Sequence, residues 1–215
     1  MAETFTLKRG LSNIYAAFVT KDESGEDGYT VGVPFHLIPA GELSVTVDAE
    51  KANTYFDNTV FAVIGREGNS EVEITGAGLR EKLKATLNGK YVDEATGIIL
   101  DDGEFHETYL ALGGTMHNID GTTSNFWFLK GTMSPFDESG KTEDESTDAT
   151  GDTVKYAAQK TIHKFKYPDN TEKVCKRVIM DTSTTKMTDG GEWTKQVVTP
   201  ENFGTLVTKI TEATA

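Results

Sequence analysis

The residues most able to carry chemistry in this chain are four histidines, one cysteine and a large set of acidic side chains. A histidine can act as a general base or a metal ligand when a nucleophile or further ligands lie at a suitable spacing. His36, His106, His117 and His163 lie in separate segments, and no HxH or HxxxH spacing occurs. The residue pattern therefore predicts no enzymatic activity and no cofactor.

The acidic segments invite a calcium-binding interpretation, because carboxylate oxygens are the preferred ligands of calcium. In an EF-hand loop beginning at Asp137, however, Lys141 stands at position 5 and Thr142 at position 6, where glycine is required. A loop beginning at Asp22 has Asp27 at position 6, again instead of glycine. We therefore expect solvated acidic loops and no dedicated metal site.

Composition limits the classes of partner. The 215 residues include 21 basic and 34 acidic side chains, giving a net charge of −13. Such a surface repels DNA, so tight nucleic-acid binding is not expected. No signal sequence opens the chain and no apolar run approaches the roughly 20 residues needed to cross a bilayer, which favours synthesis in the cytoplasm and no membrane partner. Cys175 has no partner for an intrachain disulfide and is expected to be a buried thiol.

Alternation of apolar and polar residues predicts the elements that would position any site. The segments LSVTVD (43–48) and SEVEIT (70–75) are typical of half-buried antiparallel strands. Similar segments recur from NIYAAFVT to HETYL, NFWFLKGTM and TKQVV, separated by turn sequences such as REGN, LDDG and NIDG. The chain is therefore predicted to be mainly β, an antiparallel β-sandwich or split barrel.

One segment, GLREKLKATLNGK, departs from this pattern. Leu79, Leu83 and Leu87 recur at the spacing of one helix face, and Asn88-Gly89 is a typical helix stop. We predict a single short α-helix that covers one open end of the β structure, with Lys84 among the residues facing solvent.

The chain is predicted to form one domain, residues 1–215, with long loops at about 48–70 and 136–153 and a loose C-terminal tail. Seven acidic residues and one lysine lie between Phe136 and Val154, with no large apolar side chain between these two. Strand patterns on both sides are similar, so we expect a loop that is mobile in the monomer and orders on assembly, not a domain linker. Near the end, Thr199 could cap a helix beginning at Pro200, but the following residues suit a strand or a tail equally well.

The order of several short motifs resembles that of a known family. GLSNIYAAFVT (10–20) is followed by TYFDN (54–58), by glycine-containing turns before SEVEIT, by the short helix, and by KTEDESTDATGDTVKYAA (141–158). This order, from residue 10 to about 160, resembles the major tail protein of long, non-contractile-tailed phages that infect Gram-positive bacteria.

The resemblance implies a tail-tube subunit, a β-sandwich with one helix that forms hexameric rings stacked into a hollow tube. The partners would be other copies of the chain and the tape-measure, terminator and distal tail proteins, and the location would be the virion tail. DNA would pass through the lumen without specific binding, and an acidic wall would repel its phosphates.

The same resemblance assigns two assembly segments. A hairpin at about Asp48–Ser70 would reach the neighbouring ring, and the acidic loop would lie near the lumen or a subunit boundary. The residues expected to take part in assembly are Tyr55, Phe56, Asp57, Asn58, Phe61, Asp137, Glu138, Glu143, Asp144 and Glu145. Alternatively, the apolar residues of the hairpin belong to an ordinary core.

A second function remains open at this stage. A monomeric β-sandwich that recognises a host carbohydrate or protein would present exposed aromatic side chains in a cleft. Trp127 and Trp193 are the candidates for that role.

Overall fold

A computed structural model describes residues 5–56, 59–137, 151–183, 193 and 195–202. Its elements in chain order are β1 (Lys8–Asp22), β2 (Tyr29–Val31), β3 (Phe35–His36), β4 (Ala40–Phe56), β5 (Thr59–Gly76), α1 (Glu81–Leu87), β6 (Tyr91–Val92), β7 (Ile99–Leu100), β8 (Tyr109–Asn118), β9 (Thr123–Met133), β10 (Asp152–Gln159), β11 (Lys164–Lys166), β12 (Glu172–Val174) and β13 (Arg177–Asp181).

Nine strands form one antiparallel sheet, whose main path is β2-β1-β8-β9-β10-β5-β4, with β3 added beside β1 and β13 beside β9. Two further ribbons, β6–β7 and β11–β12, stand apart from it. This confirms the predicted class: mainly β, antiparallel, with one complete α-helix in the described ranges. The sheet takes strands from both sides of the acidic segment, because β10 pairs with both β5 and β9.

Strand β9 is buried on both faces, and its alternate side chains build two cores. Phe126 and Phe128 point into the first core and Trp127 and Leu129 into the second. The first core also contains Ile14, Leu37, Ile38, Val72, Ile74, Leu110, Leu112, Val154 and Tyr156. The continuous apolar run NFWFL is the sequence counterpart of this two-sided burial.

The second core is covered by the C-terminal part of the chain, which contributes Phe165, Cys175, Trp193, Val197 and Val198. Trp127 Nε1 donates a hydrogen bond to the Trp193 carbonyl at 2.9 Å, and Trp193 Nε1 donates one to the Phe126 carbonyl at 3.2 Å. Gly113 makes room for the indole, since a Cβ there would lie 2.5 Å from Trp127. The burial of Cys175 confirms the expected buried thiol.

Helix α1 is short and packs Leu83 and Leu87 against the first core, as predicted; Leu79 also packs there but precedes the helix, which begins at Glu81. The prediction that Lys84 faces solvent is wrong, because its side chain is buried. Its Nζ lies 3.3 Å from the carboxylate of Asp152, which also accepts the Leu79 backbone N–H at 2.5 Å. Asp152, the first residue of β10, therefore holds the helix in place. Sequence spacing alone could not place Asp152 beside Lys84.

Three predicted local features differ in the structure. REGN (66–69) is not a turn, because β5 runs through it, and a register shift between Val47 and Ala49 of β4 absorbs the irregularity. TKQVV is not a strand, since Lys195 has helical backbone and Val197 and Val198 pack as irregular chain on the second core. HETYL is a strand only from Tyr109 onward.

The hydrogen bonds expected of a cap at Thr199 are present, and residues 200–202 form a turn. Its hydroxyl accepts backbone N–H bonds from Glu201 and Asn202, at 3.3 and 3.4 Å, and the Asn202 side chain accepts the Thr199 N–H at 2.8 Å. This reciprocal pair is the hydrogen-bond pattern of a capping box. The residues after Asn202 lie outside the described ranges, so the alternatives for the tail stay open.

Replacing Trp193 by alanine tests the second core. We expect Trp193→Ala to lower the free energy of unfolding by about 3–5 kcal/mol, because it removes a large buried side chain. The substitution also removes the packing that holds the residue 193 carbonyl where it accepts the Trp127 hydrogen bond. Urea unfolding followed by far-UV circular dichroism measures this. Tyr91→Ala, at a position 64% exposed, is the control and should change stability by less than about 0.5 kcal/mol; equal effects of the two substitutions would contradict the assignment.

Candidate assembly surface

The β4–β5 hairpin continues beyond the packed part of the sheet. Val72 and Ile74 are fully buried near its base, whereas Val47 is already about half exposed. Pairing nevertheless continues to Phe56 opposite Thr59. The nine residue steps from Val47 to Phe56 correspond to about 30 Å of two-stranded ribbon. Because such a ribbon is at best marginally stable alone in water, its length favours a partner surface.

The base of the hairpin is held against the body of the protein. The Lys176 ammonium bonds the Glu67 carboxylate and donates to the Gly68 carbonyl at 3.3 Å. This contact from Lys176 lowers the pKa of Glu67 below its usual value. The hairpin is therefore tied at its base to the turn between β12 and β13.

The hairpin residues predicted for assembly are only partly covered by the structure. The backbone of Tyr55 and Phe56 belongs to β4 and that of Phe61 to β5. The side chains of these three residues, and the whole of Asp57 and Asn58, lie outside the described part. Asp48–Ser70 is thus a paired hairpin, and the roles of these residues stay predictions.

The acidic segment is described only at its two ends. Phe136 packs against the first core and Asp137 is exposed. Glu138, Glu143, Asp144 and Glu145 lie outside the described residues. On the far side, Asp152 begins β10 and holds α1, so both ends of the segment start from the helix-bearing end of the sheet.

Strand register gives the sheet two distinct ends. Asp152 pairs with Gly76 and Ala158 with Ser70, so β10 runs from the α1 side toward the hairpin. We call these the helix end and the hairpin end. Tyr109 of β8 pairs with Thr132, so β8 starts at the helix end, and its other terminus and the β8–β9 turn lie toward the hairpin end.

Exposed apolar side chains gather at both ends, and sequence reasoning missed them. At the helix end, four are more than half exposed: Tyr91, Ile98, Leu100 and Phe105. Beside the β8–β9 turn, three others are similarly exposed: Phe5, Leu7 and Ile119. The signal was weak at the helix end, because Tyr91, Ile98, Leu100 and Phe105 lie in short segments among Asp, Glu and Gly, where no strand or helix period can develop.

The histidines are not brought into one site. His117 shares a hydrogen bond with Ser12 at 2.7 Å, His106 lies 2.7 Å from Asp102, and His163 is buried against Phe165. Burial raises the pKa of the Cys175 thiol, which makes it a poor nucleophile. Within the described ranges, no group of three or more potential metal-ligating side chains is assembled, and no helix there has the length and apolar character of a bilayer span.

The aromatic candidates for a binding cleft are corrected by the structure. Trp127 and Trp193 are almost completely buried in the second core and exchange hydrogen bonds with backbone carbonyls. Their indoles are therefore structural. Sequence could not distinguish this, because tryptophan is common both in cores and at binding surfaces.

One ion pair, Asp22–Lys130, is buried on both sides. Asp22, at the end of β1, accepts a bond from Lys130 Nζ at 2.7 Å and backbone N–H bonds from Ile162 and His163 at about 2.9 Å. The Lys130 ammonium also lies 4.3 Å from the centre of the Tyr109 ring. Burial by itself would raise the pKa of Asp22, but the His163 and Ile162 amides and Lys130 together hold it below its usual value. The carboxylate thus stays ionised and joins β1, β9 and the C-terminal part.

Comparison with known proteins gives no match, either to a protein-family model or to a curated protein sequence. Inference about function therefore depends on the geometry above and on the motif resemblance.

Removing the Asp22 charge should be strongly destabilising. We expect Asp22→Asn to cost about 3–5 kcal/mol, because it leaves Lys130 buried without its counter-charge. Glu94→Gln is the control, since both side chains of the Lys82–Glu94 pair are more than half exposed and its loss should cost about 0–1 kcal/mol. Chemical denaturation of both variants measures the difference, and a similar loss in each would contradict the proposed anchor.

The same residue predicts a pH dependence. A depressed folded-state pKa means that the ionised Asp22 stabilises the fold above its unfolded pKa of about 3.9, and that this contribution is lost as pH falls through the lower folded value. Stability of the wild type should therefore fall below about pH 4 more steeply than that of Asp22→Asn. Urea midpoints measured from pH 2.5 to 7 check this, and parallel curves would exclude the contribution.

Proposed function

We propose that the protein is a structural subunit that assembles with copies of itself, in stacked hexameric rings that form a phage tail tube. The observation that carries the proposal is the β4–β5 hairpin, which stays paired for about 30 Å past the packed sheet. A ribbon of this length needs a surface to lie on, and a neighbouring subunit supplies one. The motif order from residue 10 to about 160 is the second support.

The two ends of the subunit also suit assembly. Large apolar side chains are exposed at the helix end and beside the β8–β9 turn, and exposed apolar surface is typical of interaction sites. Contacts between different surfaces of identical subunits generate rings or open filaments. A stacked tube needs both: contacts that close each ring, and contacts that repeat from one ring to the next.

The net charge of −13 gives the tube a functional property. Carboxylates along the lumen would repel the phosphates of a passing DNA, so the genome would move without sticking. The acidic segment after Phe136 would contribute to this wall or to a subunit boundary. DNA-ejection rates of particles carrying charge-reversed lumen residues test this part.

The alternative is a monomeric β-sandwich that binds a host carbohydrate or protein. Its two aromatic candidates, Trp127 and Trp193, are buried, which removes the feature that suggested it. A chain that stays monomeric at high concentration would favour this alternative.

Deleting the hairpin tip tests the proposed assembly. We expect the wild type to form six-fold rings or tubes when concentrated, and a variant lacking residues 53–58 to remain monomeric, because it loses the part of the ribbon that reaches a neighbour. Negative-stain electron microscopy and sedimentation velocity measure this.

Circular dichroism and a thermal melt of the deletion variant provide the control for folding, since Val72 and Ile74 anchor the base of the hairpin without its tip. Normal tubes from a folded deletion variant would refute the role of the hairpin. Persistent monomers of the wild type at any concentration would refute the assembly itself.

A further inference from the structure

The exposed apolar group at the helix end is an outward-facing surface of a separate ribbon. Tyr91 of β6 pairs with Leu100 of β7, so their side chains share one face, and both are more than half exposed. Ile98 and Phe105 add to the exposed apolar surface of this segment. We call these four residues the ribbon patch.

The segment that carries the ribbon patch is acidic. Residues 91–107 contain no lysine or arginine and six acidic residues: Asp93, Glu94, Asp101, Asp102, Glu104 and Glu107. Lys82 pairs with Glu94 and Lys90 with Asp101. The remaining four acidic residues leave the rim acidic, so a suitable partner is apolar and basic.

A segment with that chemistry lies in the same chain. Residues 5–9, which we call the N-terminal arm, read FTLKR and are exposed throughout. Phe5 and Leu7 present apolar side chains, and Lys8 and Arg9 follow directly. The Ile119 N–H donates to the Leu7 carbonyl at 2.9 Å, so the arm is held in place beside the β8–β9 turn.

The arm cannot reach the ribbon patch of its own chain. Lys8 pairs with Asn118, the last residue of β8, whereas the ribbon patch precedes Tyr109, the first. The 10 residues of β8 place about 30 Å between these two termini. A contact between arm and ribbon patch must therefore join two copies.

We propose that the N-terminal arm of one copy docks on the ribbon patch of the next copy. Phe5 and Leu7 cover Tyr91 and Leu100, while Lys8 and Arg9 face the acidic rim. Because the two surfaces lie toward opposite ends of β8, the contact is head to tail and repeats from copy to copy. It rests on the proposed self-assembly and names one of its contacts.

Charge also favours the arm–patch contact over a two-fold contact between two ribbon patches. Two ribbon patches facing each other about a two-fold axis would bring acidic residues together, and like charges across an interface disfavour the complex. The arm on the ribbon patch instead places opposite charges together and buries apolar surface on both sides.

Cysteine cross-linking tests the contact directly. Two full-length variants, Leu7→Cys and Leu100→Cys, are mixed and oxidised with glutathione disulfide, and disulfide-linked dimers are measured on a non-reducing gel. The native Cys175 is 5% exposed and should not react. We expect the mixture to give about tenfold more dimer than either variant alone, because the two thiols approach only across the arm–patch contact.

The matched control replaces Leu7→Cys by Val33→Cys, an apolar position that is 86% exposed and outside the arm. Equal dimer yields with Val33→Cys and Leu7→Cys would overturn the contact, whether or not tubes form. Tubes without this cross-link would leave the tail-tube proposal intact, whereas the cross-link without tubes would support the contact and refute the tube.

A charge exchange provides the second test. Lys8→Glu with Arg9→Glu should raise the protein concentration needed for assembly about tenfold or more, since the arm then meets an acidic rim. Adding Glu104→Lys with Glu107→Lys, two of the rim acids that have no lysine or arginine partner among the described residues, should restore assembly. Unchanged assembly by the first variant, or no recovery by the combined one, contradicts the proposed pairing.

Discussion

The two-sided burial of β9 is the constraint on which the rest of the structure depends. A strand with Phe126 and Phe128 on one face and Trp127 on the other must be covered twice. The remaining strands of the sheet and α1 enclose the first face, and the C-terminal part encloses the second. One edge of β9 is also shared, because residues 124–128 pair with β13 and residues 130–133 with β10. The sheet divides at this strand.

Lys130 lies where β9 changes partner, and this explains why a buried charge is kept there. Its ammonium meets Asp22 of β1, whose carboxylate also accepts the amides of Ile162 and His163. A buried ion pair adds little net stability compared with apolar residues, but each member is costly to leave without the other. The cluster therefore selects the one arrangement in which β1, β9 and the C-terminal part meet, while Trp127 and Trp193 supply apolar burial beside it.

The fold class was predictable because alternation in segments such as 70–75 and the apolar run around Trp127 directly reflect burial. The helix was predictable from its three leucines, but the burial of Lys84 was not, since its partner Asp152 is distant in sequence. REGN has turn composition, yet strand pairing across the hairpin overrides that local preference. The ribbon patch was missed because exposure of Leu100 depends on which ribbon face the rest of the fold leaves uncovered.

If the chain assembles as proposed, its charge would make that assembly selective. Copies that each carry −13 repel one another at long range, and salt at about 0.1 M limits that repulsion to roughly 10 Å. Within that distance, the proposed contact would offset the remaining repulsion, because it buries apolar surface and brings Lys8 and Arg9 toward acidic residues. The overall charge therefore disfavours random association, while Lys8 and Arg9 beside Phe5 and Leu7 would favour the proposed head-to-tail orientation. Because its helix end and its hairpin end differ, a subunit that associates in this orientation would give the proposed assembly a polarity.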